Sequence, residues 1–278
     1  NDHLIAHLAA RGAAARPRMV RTFYDGSLPL GSLRDRWLLA RTDHVLFLSQ
    51  AAKAQAAGSV VPEERASVIQ GAIDLARFDP SRPLPDFRQR LGLSPHHYVV
   101  GIVARVQPHR RFGVLLDAAE CTARVLPDFR LVIVGRGTDF DAILRRPVAE
   151  RGLEEIVRFA GYLTGDDYVG CLRAMDVKAF LVPGSDGSCR AVREAMAMGL
   201  PVVAADRGML PEIVSDGLTG RVVRDTPDNL AGAFVELHDP ARRARMSHAA
   251  RAHALAHFDI RRQAELVEQI YSRLASDS

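Results

Sequence analysis

The feature that most narrows the fold is a repeated passage from a short apolar run to a helix-like pattern and back. Apolar runs of strand length occur at 98–103, 131–134, 157–160, 177–182, 202–205 and 221–223. Between them the period changes. Tyr168, Cys171, Leu172 and Met175 fall at i, i+3, i+4 and i+7, one face of a helix. Thr226-Pro227 and Asp239-Pro240 each set a capping side chain before a proline at the first helical position. Strands alternating with helices in this way predict an α/β fold, a parallel sheet with helices on both faces.

A smaller α/β piece precedes this region, with strands expected at 19–23 and 44–49 and a helix around 33–40. Residues 78–85, with three prolines and few apolar side chains, read as a linker. A last helix starting at a cap, Asp259, carries Val267, Ile270, Tyr271 and Leu274 on one face. The expected organisation is therefore a partial N-terminal domain (1–80), a nucleotide-binding-type domain (81–257) and a helix (258–278) crossing back to the first.

The 278 residues are many for one domain and few for two full α/β domains. The chain lacks an initial methionine and a secretory pattern, so a fragment or processed chain is expected, with something upstream missing. Hydrophobic residues make up 47% and charged residues 25%, as in a soluble globular protein, and no apolar run approaches the roughly 20 residues that span a bilayer. The net charge is +4, and only Lys53 and Lys178 are lysines. This arginine bias reads first as genome composition; a second reading is that planar guanidiniums suit phosphates. The basic residues are scattered without interleaved aromatics, which argues against nucleic acid. Cys121, Cys171 and Cys189 have neither zinc nor disulfide spacing, which fits a reducing cytoplasm.

Three segments carry candidate chemistry. In Gly101-Ile-Val-Ala-Arg105-Val-Gln-Pro-His-Arg110 a strand ends and its loop delivers Arg105 and Arg110, where open α/β sheets bind ligands. Two guanidiniums there could clamp a diphosphate without a metal; a solvated basic loop is the other reading. Val132-Ile-Val-Gly135-Arg-Gly137 lacks the third glycine of a dinucleotide fingerprint and reads as a structural turn. Asp139-Phe140-Asp141 resembles a metal-binding Asp-x-Asp but stands where a helix begins, so helix capping is expected and no metal site is assigned.

The third segment runs from Leu181 through Pro183, Ser185-Asp186-Gly187-Ser188-Cys189-Arg190 and Glu194 to Gly199 and Pro201. A strand leads through small residues into a helix stopped by Gly199. The amides of Gly187, Ser188, Cys189 and Arg190 would form an anion site at the helix N-terminus, with Asp186 at its mouth. Glu194, about two turns on, could accept from the hydroxyls of a ribose diol. A capping aspartate and a solvated glutamate would show the same spacing.

These residues resemble family 4 of the retaining glycosyltransferases, with two facing Rossmann-like domains (the GT-B type). The Glu-x7-Glu motif is matched by Asp186-Gly187 through Glu194-Ala195-Met196-Ala197 to Gly199 and Pro201-Val202. Further matches are Gly208 to Gly220, Val157 to Gly161, the arginine loop and the stretch from Val68-Ile69 to Arg77-Phe78. The resemblance implies that Arg105 and Arg110 hold the donor's diphosphate and Glu194 the ribose. Asp186 and the amides of residues 187–190 would face the sugar and β-phosphate, with Gly161 among the donor-site residues. It implies a metal-independent, hexosyltransferase-like enzyme with no cofactor beyond a UDP- or GDP-type sugar. The acceptor would be a lipid-linked or polysaccharide glycan, and the place the cytoplasm or the inner-membrane periphery. Asp186 stands for the first glutamate, Arg110 for a usual lysine, Gln70-Gly71-Ala72 for Pro-Asn-Gly, and Tyr24 near a usual histidine. His3 and His7 are expected on a helix surface. The alternative function is a non-catalytic nucleotide-sugar-binding remnant whose partner chain supplies a missing N-terminal half. An oxidoreductase is disfavoured by the incomplete glycine fingerprint.

Overall fold

The computed structural model describes residues 2–13, 16–24, 32–56, 60–182 and 186–276; the side chains of residues 186–188 are outside that description. The strands are Val20–Phe23 (β1), His44–Phe47 (β2), Ala66–Val68 (β3), Tyr98–Val103 (β4), Phe129–Val134 (β5), Val157–Gly161 (β6), Val177–Phe180 (β7), Val202–Ala205 (β8) and Gly220–Val223 (β9). The helices before β4 are Asp2–Ala10 (α1), Leu33–Ala40 (α2), Gln50–Gln55 (α3) and Phe87–Arg90 (α4). Those up to β9 are Phe112–Val125 (α5), Arg146–Glu150 (α6), Gly165–Arg173 (α7), Asp186–Ala197 (α8) and Leu210–Ile213 (α9). Pro227–Glu236 (α10), Pro240–His257 (α11) and Ile260–Ser276 (α12) follow. Contacts group the chain into two units: Asn1–Ala72 with Ser185–Ser188 and Phe258–Ser278, and Ile73–Gly184 with Cys189–His257.

In the first unit β1, β2 and β3 form a parallel sheet in that order, with Val20 opposite His44 and Val45 opposite Ala66. Phe23 and Phe47 stack at 6.0 Å between centroids, in a core shared with Leu39, Val45, Ala52 and Val61. Strand β2 is shorter than the expected 44–49, because the Ser49 hydroxyl accepts from the Ala52 amide (3.0 Å) and starts α3 instead. Strand β3, only three residues long, has no alternation that the sequence could reveal. Asp259 caps α12 through the Arg261 amide (2.9 Å), and Gln263 Nε2 donates to the Gln70 carbonyl (2.6 Å). His3 and His7 are not surface residues. His7 is 7% exposed with its ring edge-on to Trp37, and His3 Nε2 lies 2.9 Å from Thr42 Oγ1. His7 packs on Trp37 of α2 and His3 on Thr42 just after it, so both imidazoles lie on the packed side of α1.

In the second unit six parallel strands are ordered β6-β5-β4-β7-β8-β9. Every residue of β4, β7 and β8 except Val103 is buried, as a sheet covered on both faces requires. Capping ahead of α10 and α11 matches the sequence: Thr226 Oγ1 accepts from the Asn229 amide (3.4 Å) and Asp239 Oδ1 from the Ala241 amide (2.8 Å). Strand β7 ends at Phe180, two residues before the expected limit, although Leu181 and Val182 stay buried. Phe129 and Phe234 stack at 6.2 Å, joining β5 to α10. Tyr98 Oη donates to the Phe234 carbonyl (2.9 Å), a group in the last turn of α10 that helix bonding would otherwise leave unmet.

The buried carbonyl makes Tyr98 a sensitive position. Tyr98→Phe is expected to destabilise the protein by about 1–3 kcal/mol, the cost of an unmet buried acceptor. Urea unfolding monitored by circular dichroism would measure the shift in midpoint.

Candidate functional site

The strand order places β5 on one side of β4 and β7 on the other, so the chain reverses direction across the sheet between β4 and β7. At such a reversal, loops leave the carboxyl ends of neighbouring strands in opposite directions and open a crevice. The loop after β4 carries Arg105 and Arg110. The loop after β7 includes residues 183–185, which are outside the described residues.

Arg105 is exposed, and Arg110 ends a 3-10 turn, Pro108–Arg110, where it is half-buried. Neither guanidinium has a carboxylate partner among the described residues, and Arg110 Nε is buried without a hydrogen-bond partner. Burial, and then the nearby charge of Arg105, lower the pKa of Arg110. Two like charges held near each other without a carboxylate leave a local excess of positive charge, to which an anion would be attracted. The next residue, Arg111, is already engaged. It takes a left-handed conformation (φ 58°) and ion-pairs with Asp225 (2.5 Å), which also pairs with Arg207 (2.7 Å).

Gly135 and Gly137 are structural, as their sequence context implies. A Cβ on Gly135 would lie 1.9 Å from the Ala104 carbonyl oxygen, and one on Gly137 2.0 Å from that of Val106. Asp139 and Asp141 do not cap through their side chains. The Asp139 carbonyl accepts from Ile143 (2.9 Å) as the helical segment begins, and Asp141 pairs with Arg145 (3.2 Å). The capping expectation fails because the chain enters the π-helical turn Asp141–Arg145 directly in a helical conformation.

A cavity of about 330 Å³ opens at the carboxyl ends of β4, β5 and β6, lined by Arg105, Gly135, Arg136, Tyr162, Leu163 and Tyr168 among others. The Arg136 guanidinium sits 4.1 Å from the Tyr162 ring centroid. Gly161, at φ 70°, is exposed, and a Cβ there would meet nothing within 4 Å.

Glu194 on α8 is buried and firmly held. Tyr168 Oη donates to Oε2 (2.6 Å) and Arg190 Nε to Oε1 (2.9 Å). Burial first, then the charge of Glu194, push the Tyr168 hydroxyl well above its usual range, so it stays a donor. The carboxylate keeps further lone pairs for a ligand's hydroxyls. Sequence reading placed Tyr168 on an apolar helix face and missed this bond. Cys189 is fully buried, so its thiol is closed to a ligand. The side chains of Asp186 and Ser188 lie outside the described residues.

Lys178, in the middle of β7, was also missed. It is fully buried, and its Nζ has no hydrogen-bond partner. Burial lowers its pKa to about 7, against the opposing influence of Cys171 and Glu194. Burial likewise raises the Cys171 thiol to about 12. A lone lysine amid strand residues carries no sequence signal of its depth.

Residues 97–239 match the family described as glycosyl transferases group 1. The chain is 37% identical over 191 residues to a D-inositol 3-phosphate glycosyltransferase of Salinispora arenicola, an alignment covering 64% of this chain and 40% of that protein. It is 32% identical over 200 residues to a GDP-mannose-dependent monoacylated alpha-(1-6)-phosphatidylinositol monomannoside mannosyltransferase of Corynebacterium glutamicum, covering 68% and 51%. The chain thus spans about half or less of these relatives' length. Among solved structures, Anabaena Alr3699/HepE in complex with UDP-glucose superposes with a TM-score of 0.75 at 26% identity, over 99% of this chain and 77% of that one. This likeness gives the fold its GT-B description.

The buried amine yields a direct test. In the unfolded chain Lys178 titrates near 10.5, against about 7 when folded. Between those values the unfolded chain holds a proton that the folded one lacks, so stability should climb as pH rises from about 7 towards 10.5; below 7 the penalty is constant. Lys178→Met should raise the melting temperature at pH 7 and flatten that climb, as read by calorimetric melts across the range.

Proposed function

Because the chain belongs to the group 1 glycosyl transferases, we propose that it binds a nucleotide-diphosphate sugar and serves in transfer of the sugar with retention of anomeric configuration, as in family 4. The observation that carries this reading is the pair Arg105 and Arg110, unneutralised at the carboxyl end of β4. They take the diphosphate. The cavity beside Arg105 takes the nucleoside, and Glu194, set by Tyr168 and Arg190, accepts from the ribose diol.

In the reaction the bond from the anomeric carbon to the diphosphate oxygen breaks and the acceptor oxygen bonds to that carbon on the same face. The acceptor's proton leaves with the diphosphate. Charge grows on the departing oxygens, and the two arginines, with the first amides of α8 at Gly187, Ser188, Cys189 and Arg190, stabilise it. Asp186, at the start of α8, is assigned to the sugar. The arginines do the work an ion would do, so the reading needs no metal. A hexose donor of UDP or GDP type and a glycan or glycolipid acceptor at the membrane periphery complete it. HepE is described with UDP-glucose and the corynebacterial relative as GDP-mannose-dependent, so both bases belong in the assay.

Arg105→Ala and Arg110→Ala should each weaken UDP or GDP binding by about 1.5–3 kcal/mol in titration calorimetry, the worth of a hydrogen bond to a charged group. Folding should survive in both. Glu194→Gln should also lose nucleotide affinity, whereas Asp186→Asn should spare it and slow sugar transfer. Unchanged affinity in both arginine variants overturns the clamp. Turnover across a panel of UDP- and GDP-sugars, with the product's anomer read by NMR, should proceed equally with and without EDTA. Tight nucleotide binding with no turnover would favour a binding remnant over an enzyme.

A further inference from the structure

A second basic cavity, of about 350 Å³, belongs to the first unit. Its lining includes His7, Arg11, Arg16, Met19, Trp37 and Arg41. Met19 immediately precedes β1, and Arg41 to Asp43 precede β2, so the cavity lies at the amino ends of these strands. That is the end of an α/β sheet away from its usual ligand crevice.

The charges there are unevenly matched. Asp43 is fully engaged: it accepts from the Met19 amide (2.7 Å) and pairs with Arg16 (3.2 Å) and Arg18 (3.3 Å). Arg16 also donates to the Arg41 carbonyl (3.1 Å), which fixes the two approaches to the sheet side by side. The guanidiniums of Arg11 and Arg41 lie 5.3 Å and 4.2 Å from the Trp37 ring centroid, and neither has a carboxylate partner among the described residues. His7, 93% buried by its 7% exposure, presents an Nε2 with no hydrogen-bond partner. Burial, and then the charge of Arg16, hold its imidazole below its usual pKa, a penalty that a bound anion would relieve.

We propose that this cavity is a subsite for a phosphoryl group, gripped by Arg11 and Arg41 with Arg16 behind them and the unpartnered His7 Nε2 completing the set. Three planar guanidiniums suit the several oxygens of a tetrahedral phosphoryl better than one carboxylate. The volume leaves room for the small polyol or sugar that such a group esterifies. The ligand's phosphoryl group comes from a soluble phosphate ester or from a lipid headgroup, and the cavity's chemistry is the same for both.

Trp37 is the protein's single tryptophan, so its emission reports this cavity alone. The full chain would be titrated with glycerol phosphate at constant ionic strength against chloride, and in a second arm with phosphatidylglycerol vesicles against phosphatidylcholine vesicles. A saturable change with half-saturation of about 1 mM is expected in at least one arm. The arm that responds identifies the source. Arg11→Gln and Arg41→Gln each touch the Trp37 ring, so their binding would be read by calorimetry or by phosphorus NMR line width. Each should weaken binding about tenfold or more, and both side chains are exposed, so folding should persist. A response that merely tracks ionic strength, or binding that survives in the double variant, overturns the proposal.

Discussion

The close approach of two backbone segments underlies the crevice at the carboxyl ends of β4 and β5. The loop after β5 runs so near the loop after β4 that only glycine fits at 135 and 137, opposite the carbonyls of Ala104 and Val106. The Val106 amide bonds the Arg136 carbonyl (3.0 Å) and the Ala104 amide that of Val134 (3.0 Å), so the two loops behave as one extension of the sheet. Arg105 and Arg136 are thereby delivered from rigid backbone, and a cationic site needs such support. Guanidiniums on mobile loops would pay ordering entropy each time a ligand bound.

The polar groups near this crevice follow one pattern: charges are set in advance and left partly unmet. Arg110 keeps a buried Nε without a partner, and Glu194 is fixed by Tyr168 and Arg190 with lone pairs to spare. Lys178 sits deeper, with a wholly buried amine. Elsewhere in the same unit charge is neutralised tightly, as at Asp225 between Arg111 and Arg207. Of two adjacent arginines, 111 is paired with a carboxylate and 110 has none among the described residues, which is the contrast the proposed clamp rests on.

What the sequence reveals is what depends on neighbours along the chain. The caps at Thr226, Asp239 and Asp259 are local, and they stand where sequence places them. The strands of the larger sheet are legible because their runs are mostly apolar, as in β4 and β8, and helical patterns separate them. Strand β3 is too short to leave a pattern, and the Ser49 cap shortens β2 through one hydroxyl. Tyr168 has helical spacing and so reads as core, yet its hydroxyl finds a carboxylate 26 residues away. His7 has a polar name and a buried place, because α1 and α2 close over it. The carried-over roles of Arg105, Arg110, Glu194 and Asp186 come from motif resemblance, and geometry adds Tyr168 and Arg190 as the partners of Glu194.

The scarcity of lysine gives the buried amine a further meaning. Of the chain's two lysines, Lys53 is partly open to solvent, with a side chain 27% exposed, and Lys178 is sealed. An amine with no exposed surface is out of a reagent's reach, so the sealed one would acylate only once solvent reached it. Covalent labelling of this protein is therefore a binary record of its history: modification at Lys53 alone marks a molecule that stayed folded, and modification at Lys178 as well marks one whose central sheet has opened.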